Sequence, residues 1–195
     1  MSKTRLEAFS DGVIAILITI MVLELKVPAT GGWQALETEL PTLATYVVSF
    51  VFVGIYWNNH HHMFSLVEAV NGQILWANLH LLFWLSLVPF VTTWVANTYA
   101  AVPTSLYGVV LLACALAWLI LQRAIVREQG ARSPVAAALG RDFKGFISPI
   151  LYVAAVGLAF VSPFIADALY VTVALMWLVP DRRFEAFHQH RGVRD

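Results

Sequence analysis

Long uncharged apolar stretches dominate the pattern of hydrophobic and polar positions along the chain. No Asp, Glu, Lys or Arg occurs in residues 40–67 or in residues 69–122, and the second stretch is 54 residues long. An α-helix needs about 20 apolar residues to cross a bilayer, so the second stretch has room for two crossing helices and a turn. The pattern therefore predicts an all-α, polytopic membrane protein.

Turn-forming residues divide the apolar sequence into six segments. Proline and glycine in residues 27–32 end the first segment, because proline lacks a backbone N–H and glycine is flexible. Pro89 and Pro149 fall inside segments, where we expect them to kink or start helices. The transmembrane helices are predicted at about residues 5–26, 40–63, 73–96, 104–126, 143–161 and 164–180.

Charge placement indicates that the first segment crosses the bilayer, although its apolar run covers only residues 12–23. A run that short is also typical of interfacial or core helices. Eleven of the 12 Lys and Arg residues form three clusters, at residues 3–5, 123–144 and 182–194. Cytoplasmic loops carry an excess of such residues, and an even number of spans between clusters places all three on one side. We therefore predict one six-helix domain (residues 1–195) in the cell (inner) membrane, with the N- and C-termini cytoplasmic.

Composition agrees with this prediction and excludes other classes of protein. The chain is 59% hydrophobic and 12% charged, whereas an ordinary soluble domain is about 25% charged. Part of its solvent is therefore membrane lipid. A formal net charge of zero gives no indication of a nucleic-acid partner. Cys114, the one cysteine, lies in an apolar run and is interpreted as a packing residue.

The first helix carries an apolar stripe. At about 100° per residue, residues 9, 12, 19, 20, 23 and 27 fall within about 60° of Ile16, whereas Asp11 lies about 140° away. In one interpretation this stripe is a seam that packs against a neighbouring helix. In the other it faces a symmetry axis, where rings of Ile16 and Leu23 constrict a pore and Thr19 hydroxyls contact a partly dehydrated cation. Apolar constrictions can gate conduction by dewetting, and periodicity alone leaves both interpretations open.

A short motif opens this helix, with the sequence Arg5-Leu6-Glu7-Ala8-Phe9-Ser10-Asp11. It resembles the Arg-x-x-x-Phe-Ser-Asp signature of the transmembrane protein 175 family, which comprises the lysosomal potassium channel of animals and its bacterial relatives. All four signature residues are present, namely Arg5, Phe9, Ser10 and Asp11. The resemblance extends to the topology of the whole chain, and its residue-level support is concentrated in residues 5–28.

The resemblance implies a bacterial single-repeat potassium channel that assembles as a homotetramer, with the first helices lining the pore. It also implies that bulky apolar side chains form the constriction. Counted from Asp11, the matching positions are Ile16, Thr19, Ile20 and Leu23. The sequence contains no Thr-Val-Gly-Tyr-Gly filter. The expected partners are potassium ions, membrane lipid and further copies of the chain, and no cofactor is implied.

Asp11 lies on the back of this helix and needs a partner if it is buried, because an unpaired buried charge is costly. The candidates are Arg5 and the polar residues Asn78 and His80 of the third span. We predict that Ser10, Asp11 and His80 form a hydrogen-bonded cluster that anchors the pore helix. In the alternative, His80 binds a backbone carbonyl and Asp11 lies among lipid headgroups.

Three consecutive histidines, residues 60–62, end the second span. Consecutive helical residues point about 100° apart, whereas two metal ligands on one helix need i,i+3 or i,i+4 spacing. We therefore predict no metal site, and interpret the run as a polar cytoplasmic helix end that titrates near neutral pH.

Three other functional classes are alternatives to a channel. A proton-coupled secondary transporter, the alternative function, usually keeps ionisable residues near the membrane midplane. The predicted span centres contain almost no acids, and His80 is their main ionisable residue, which favours a channel. The sequence lacks His-Glu-x-x-His, Gly-x-Ser-x-Gly and phosphate-binding Gly-rich motifs, so an enzyme is not expected. A helical scaffold without transport activity is also compatible with the sequence.

Overall fold

The computed structural model describes residues 2–28, 30–140 and 143–178. Within these residues the regular elements are helices and none is a strand, which confirms the all-α prediction. In chain order the helices are α1 (Lys3–Leu23), α2 (Trp33–Ser65), α3 (Gly72–Ser86), α4 (Val88–Asn97), α5 (Ala101–Gln129), α6 (Pro134–Leu139), α7 (Phe143–Leu158) and α8 (Pro163–Leu178).

Hydrogen bonds between helix ends show how the first helices are directed. At the start of α1, Lys3 Nζ donates to the carbonyl of Ser65 at the end of α2 (3.4 Å). Just beyond α1, Lys26 Nζ donates to Asn97 Oδ1 at the end of α4 (3.2 Å). Helix α1 therefore runs antiparallel to α2 and parallel to the α3–α4 pair. We call the end that contains Lys3 the N-terminal end of the bundle.

The opposite end of the bundle is joined by a contact between the α4–α5 connection and α8. Tyr99 Oη donates to Asp167 Oδ2 at 2.7 Å. Partial burial, together with the neighbouring carboxylate, raises the pKa of the Tyr99 phenol above its ordinary value. The hydroxyl therefore keeps its proton at neutral pH and remains a donor to Asp167.

Helix α5 is the central element, because it packs against α3, α4, α7 and α8. A glycine allows the closest of these approaches. A Cβ atom built on Gly108 would lie 2.0 Å from the hydroxyl of Tyr170, which is buried and donates to the Thr104 carbonyl (3.0 Å). The absence of a side chain at Gly108 thus lets α8 approach the backbone of α5.

Several helix boundaries differ from those predicted. The third span is confirmed as a helical segment but is interrupted at Leu87, between α3 and α4, with Pro89 in the first turn of α4, where its missing N–H costs nothing. Helix α2 begins at Trp33 rather than near residue 40. Glu37 and Glu39 therefore lie in a helix, because a helix can continue beyond its apolar part into water. The short helix α6 was not predicted.

Among the described residues, four helical segments are long and apolar enough to cross a membrane: α1, α2, the α3–α4 pair and α5. The apolar helices α7 and α8 have 16 residues each, so the count of six crossings stays a prediction. The cations Lys3, Arg5, Arg123 and Arg127 belong to helix termini at the N-terminal end of the bundle. Arg141, the cluster at residues 182–194 and the C-terminus lie outside the described residues.

Candidate pore helix and its anchoring network

Helix α1 has two faces in sharply different surroundings. Its buried face is formed by residues at helical spacing, namely Leu6, Ser10, Ile14, Leu17 and Met21. The stripe identified from the sequence is on the other face, where Ile16 is 57% exposed and Leu23 is 80% exposed. Within the part of the chain that the structure describes, the stripe is therefore not a packing seam, which contradicts the first interpretation for contacts among these residues.

The predicted constriction positions all lie on this exposed face. Ile16, Thr19, Ile20 and Leu23 are each exposed, and the Thr19 hydroxyl donates to the carbonyl of Ile16 in the preceding turn (2.8 Å). That bond satisfies the hydroxyl proton, and the oxygen lone pairs stay available to a cation. Their part in conduction stays a prediction, because a single chain does not enclose a pathway.

A chain of three buried polar side chains holds the opposite face of α1. The Ser10 hydroxyl donates to the Leu6 carbonyl (2.9 Å) and accepts from Asn78 Nδ2 (2.9 Å). The Asn78 oxygen in turn pairs with His60 Nε2 at 2.8 Å. Since Asn78 directs its NH₂ group at Ser10, its oxygen accepts, and Nε2 of His60 must carry the proton.

This network ties together α1, α2 and α3. Ser10, Asn78 and His60 are exposed by 1% or less, and the His60 ring also stacks on Phe64 at a centroid distance of 4.4 Å. Buried polar groups are costly when unpaired and stabilise a unique arrangement when paired. The network therefore fixes the rotation of α1 about its axis, which in turn fixes the direction of the stripe.

Asp11 is held by a different residue from those predicted. Its Oδ1 accepts a hydrogen bond from Trp57 Nε1 of α2 at 3.1 Å. Asp11 is half-buried, and the Trp57 ring lies against His61 at a centroid distance of 6.3 Å. The bond is thus at the edge of the bundle, and it adds a second contact between α1 and α2.

The predicted role of His80 in the cluster is wrong. His80 is exposed, and its Nε2 accepts a hydrogen bond from Trp84 Nε1 of the same helix (2.8 Å). The reason is helical geometry, because two residues that are two positions apart in a helix are separated by a rotation of about 200° around its axis. Because Asn78 faces α1, His80 faces away from α1. His60 of α2 occupies the position in the network that was predicted for His80.

Arg5 and Phe9 share the exposed face with the stripe and lie outside the buried network. Of the signature residues, Ser10 and Asp11 therefore make the contacts that hold α1 within the chain. Arg5 contributes its backbone N–H, which donates to the Ser2 hydroxyl at the helix start (3.4 Å). Sequence reasoning missed the two anchors His60 and Trp57. Their only signals were the residues with which they pair, Asn78 and Asp11, because each of these needs a partner when buried.

The histidine run is divided among separate surroundings. His60 is buried in the network, whereas His61 lies between Trp57 and His62. In the residues that the structure describes, no group of three His, Cys, Asp or Glu side chains is arranged to hold a metal ion.

Comparison with known proteins places this geometry in a family. The family described as “Endosomal/lysosomal potassium channel TMEM175” matches residues 5–89, which contain the signature and the whole anchoring network. A potassium channel of Chryseobacterium sp. (strain P1-3) is 53% identical over 95% of this chain and 97% of its own length. A potassium channel of Streptomyces collinus is 36% identical over 89% of this chain and 90% of its own.

A solved structure has the same fold. The crystal structure of a lysosomal potassium-selective channel TMEM175 homolog from Chamaesiphon minutus superposes with a TM-score of 0.80, at 31% identity, and covers 92% of this chain and 97% of its own. The resemblance inferred from the signature is thereby confirmed. The chain belongs to the TMEM175 family.

Proposed function

We propose that the chain is one subunit of a homotetrameric potassium channel in which four copies of α1 surround the pore. The observation that carries the proposal is the two-sided environment of α1. Buried hydrogen bonds to α2 and α3 hold one face, and the opposite face presents a row of apolar side chains that residues 2–28, 30–140 and 143–178 leave uncovered. Relatives that cover nearly the whole chain are named potassium channels.

Several copies are needed because one helix cannot enclose a pathway. Four copies, the number that the family resemblance implies, place four Ile16 and four Leu23 side chains around an axis. The two positions are seven residues apart, or about 10 Å along the helix. Between them lie Thr19 and Ile20, so an ion meets two apolar rings with hydroxyl oxygens between them. Such rings control conduction by excluding water.

Ion flux into proteoliposomes tests the proposed constriction. Ile16→Asn places a polar group in the first ring and Leu23→Ala widens the second, so potassium flux should rise or selectivity over sodium should fall. Ile150→Asn and Leu175→Ala are matched controls, because both residues are exposed but lie on α7 and α8. Unaltered flux in both α1 variants, or equal changes in the controls, would show that the stripe only packs.

The same assay separates a channel from the alternative, a proton-coupled transporter. Channel flux should rise with the potassium gradient without saturating and should persist without a proton gradient. Saturating flux that requires a proton gradient would identify a transporter. The assembly is tested by the mass of the purified protein, which should be four times the chain mass of 21.6 kDa.

The proposal also includes six crossings, with both termini on the cytoplasmic side of the cell membrane. Its support is the positive charge at the N-terminal end of the bundle. A membrane-impermeant maleimide should label Gly31→Cys, in the α1–α2 connection, on intact spheroplasts. Ser2→Cys should be labelled only after lysis. The native Cys114 is buried and supplies the background control. Labelling of Ser2→Cys on intact spheroplasts would reverse the orientation.

A further inference from the structure

A groove of about 970 Å³ lies between α3 and α5 at the N-terminal end of the bundle. Its lining changes character along its length. Along α5 the lining runs from the apolar Ile120, nearer the middle of the bundle, through Arg123 and Ala124 to Arg127, nearer the end. Ile120 and Arg127 are seven residues apart, so this change occurs over about 10 Å.

The groove is on the other side of α3 from the pore helix. Asn78 of α3 faces α1, whereas Trp76 and His80, which line the groove, lie about 160° around the helix from Asn78. Trp76 is 75% exposed. A molecule in the groove would therefore contact the outside of the bundle rather than the stripe on α1.

Two arginines give the groove a preference for negative charge. Arg123 and Arg127 are one turn apart on one face of α5, and both are exposed. Glu128 also lines the groove and accepts a hydrogen bond from Asn71 Nδ2 at the start of α3, so these three charged side chains leave a net charge of +1. Guanidinium groups bind phosphate oxygens through paired, charge-assisted hydrogen bonds, so a phosphate suits this part of the groove.

The length of α5 places these arginines at the level of lipid headgroups. Its 29 residues span about 43 Å, whereas the hydrocarbon core of a bilayer is about 30 Å thick. The end of α5 must therefore leave the hydrocarbon near Arg123. Trp76 on the facing helix suits the same level, because exposed tryptophans gather at membrane interfaces. A soluble anion would use the arginines and leave the apolar part of the groove uncovered.

We propose that this groove binds an anionic phospholipid from the leaflet at the N-terminal end of the bundle. The lipid phosphate is held by Arg123 and Arg127, and an acyl chain lies along Ala77, Ile120 and Ala124. This site is independent of conduction, because neither the stripe nor the anchoring network contributes a residue to it.

Native mass spectrometry of the full chain in detergent tests the proposal. Phosphatidylglycerol and phosphatidylcholine with identical acyl chains are titrated in parallel with glycerol 1-phosphate, a headgroup fragment without chains. A basic residue near an anionic membrane surface contributes about fivefold in affinity, so the double variant Arg123→Gln/Arg127→Gln should bind phosphatidylglycerol roughly 25-fold more weakly. Phosphatidylcholine carries the same phosphate, but its choline cation offsets the negative charge, so the double variant should lose less affinity for phosphatidylcholine than for phosphatidylglycerol.

Arg132→Gln is the matched control, since it removes the same charge from an exposed residue that follows α5 but does not line the groove. It should bind phosphatidylglycerol as the native chain does. If the double variant does not fold, each single variant should show a loss of about fivefold. Equal phosphatidylglycerol binding by the native chain and the groove variants overturns the proposal. So does glycerol 1-phosphate that binds as tightly as the intact lipid, because the apolar part of the groove would then contribute nothing.

Discussion

Helices α1 and α5 are both apolar, but they have different relations to the rest of the chain. Helix α5 buries 14 of its 29 residues, whereas α1 buries 5 of its 21. Contacts with four other long helices surround α5, and α1 is covered on one face only. The comparison shows that apolar character alone does not identify the inner helix of a subunit. It also shows that most of the surface of α1 is left uncovered by the other described helices.

The largest effect is expected where α5 is packed most closely. Gly108→Ala places a methyl group 2.0 Å from the Tyr170 hydroxyl and 2.9 Å from Val156 Cγ2. Tyr170 cannot turn aside easily, because its buried ring lies between Tyr107 and Tyr152. Overpacking of this kind typically destabilises a protein by about 1–3 kcal/mol, and we expect the upper part of this range in thermal unfolding in detergent.

Gly54→Ala in α2 is the matched control for that variant. A Cβ atom built on Gly54 meets nothing within 4 Å, so this alanine should be neutral or slightly stabilising, by up to about 1 kcal/mol. If Gly108→Ala were as stable as Gly54→Ala, the close contact between α5 and α8 would not exist in the protein.

A smaller effect is expected at the anchor of α1. Asn78→Ala leaves His60 without its buried partner and removes the hydrogen bond that Ser10 accepts, which should cost roughly 1–3 kcal/mol. Because the rotation of α1 depends on this network, potassium flux should change together with the unfolding temperature. Gln34→Ala removes an exposed side-chain amide of α2 that lies outside the network and should change neither. A stable Asn78→Ala variant with native flux would contradict the anchoring role.

The smallest effect is expected for the bond at the edge of α1. Trp57→Phe and Asp11→Ala each remove the same partly exposed hydrogen bond, which should be worth about 0.5 kcal/mol. A double-mutant cycle on unfolding in detergent measures that coupling directly. No coupling between the two substitutions would show that Trp57 and Asp11 do not interact, and a coupling as large as the Asn78 effect would move the main anchor to this pair.

The elements that the sequence predicted well are those with a strong local signal. Helix α1 and the segment that Pro89 interrupts were located to within three residues of their observed ends. The start of α2 was missed, because Glu37 and Glu39 mark the limit of the apolar segment and not the limit of the helix. Charged residues indicate where a segment leaves the apolar environment for water, and a helix can continue beyond that point.

The sequence predicted the residues that α1 itself contributes to the candidate site, but not their partners on α2. The stripe and the positions of Ser10 and Asp11 follow from the 3.6-residue period, and the structure has them where that period places them. The partner of Asn78 depends on how α2 lies across α1 and α3, which no local pattern specifies. The sequence could nevertheless have limited the orientation of α3, because Asn78 and His80 are two positions apart in a helix and cannot both face α1.

The hydrogen bonds that hold α1 also determine where it can move. Ser10 and Asp11 fix the first half of the helix, and Lys26 makes the next polar contact, beyond its other end. A rod clamped near one end swings most at the other, so small tilts of α1 displace Leu23 further than Ile16. Leu23 lies 12 residues beyond Asp11 and Ile16 lies five, so in the proposed assembly the opening at Leu23 would vary in width about twice as much as the one at Ile16.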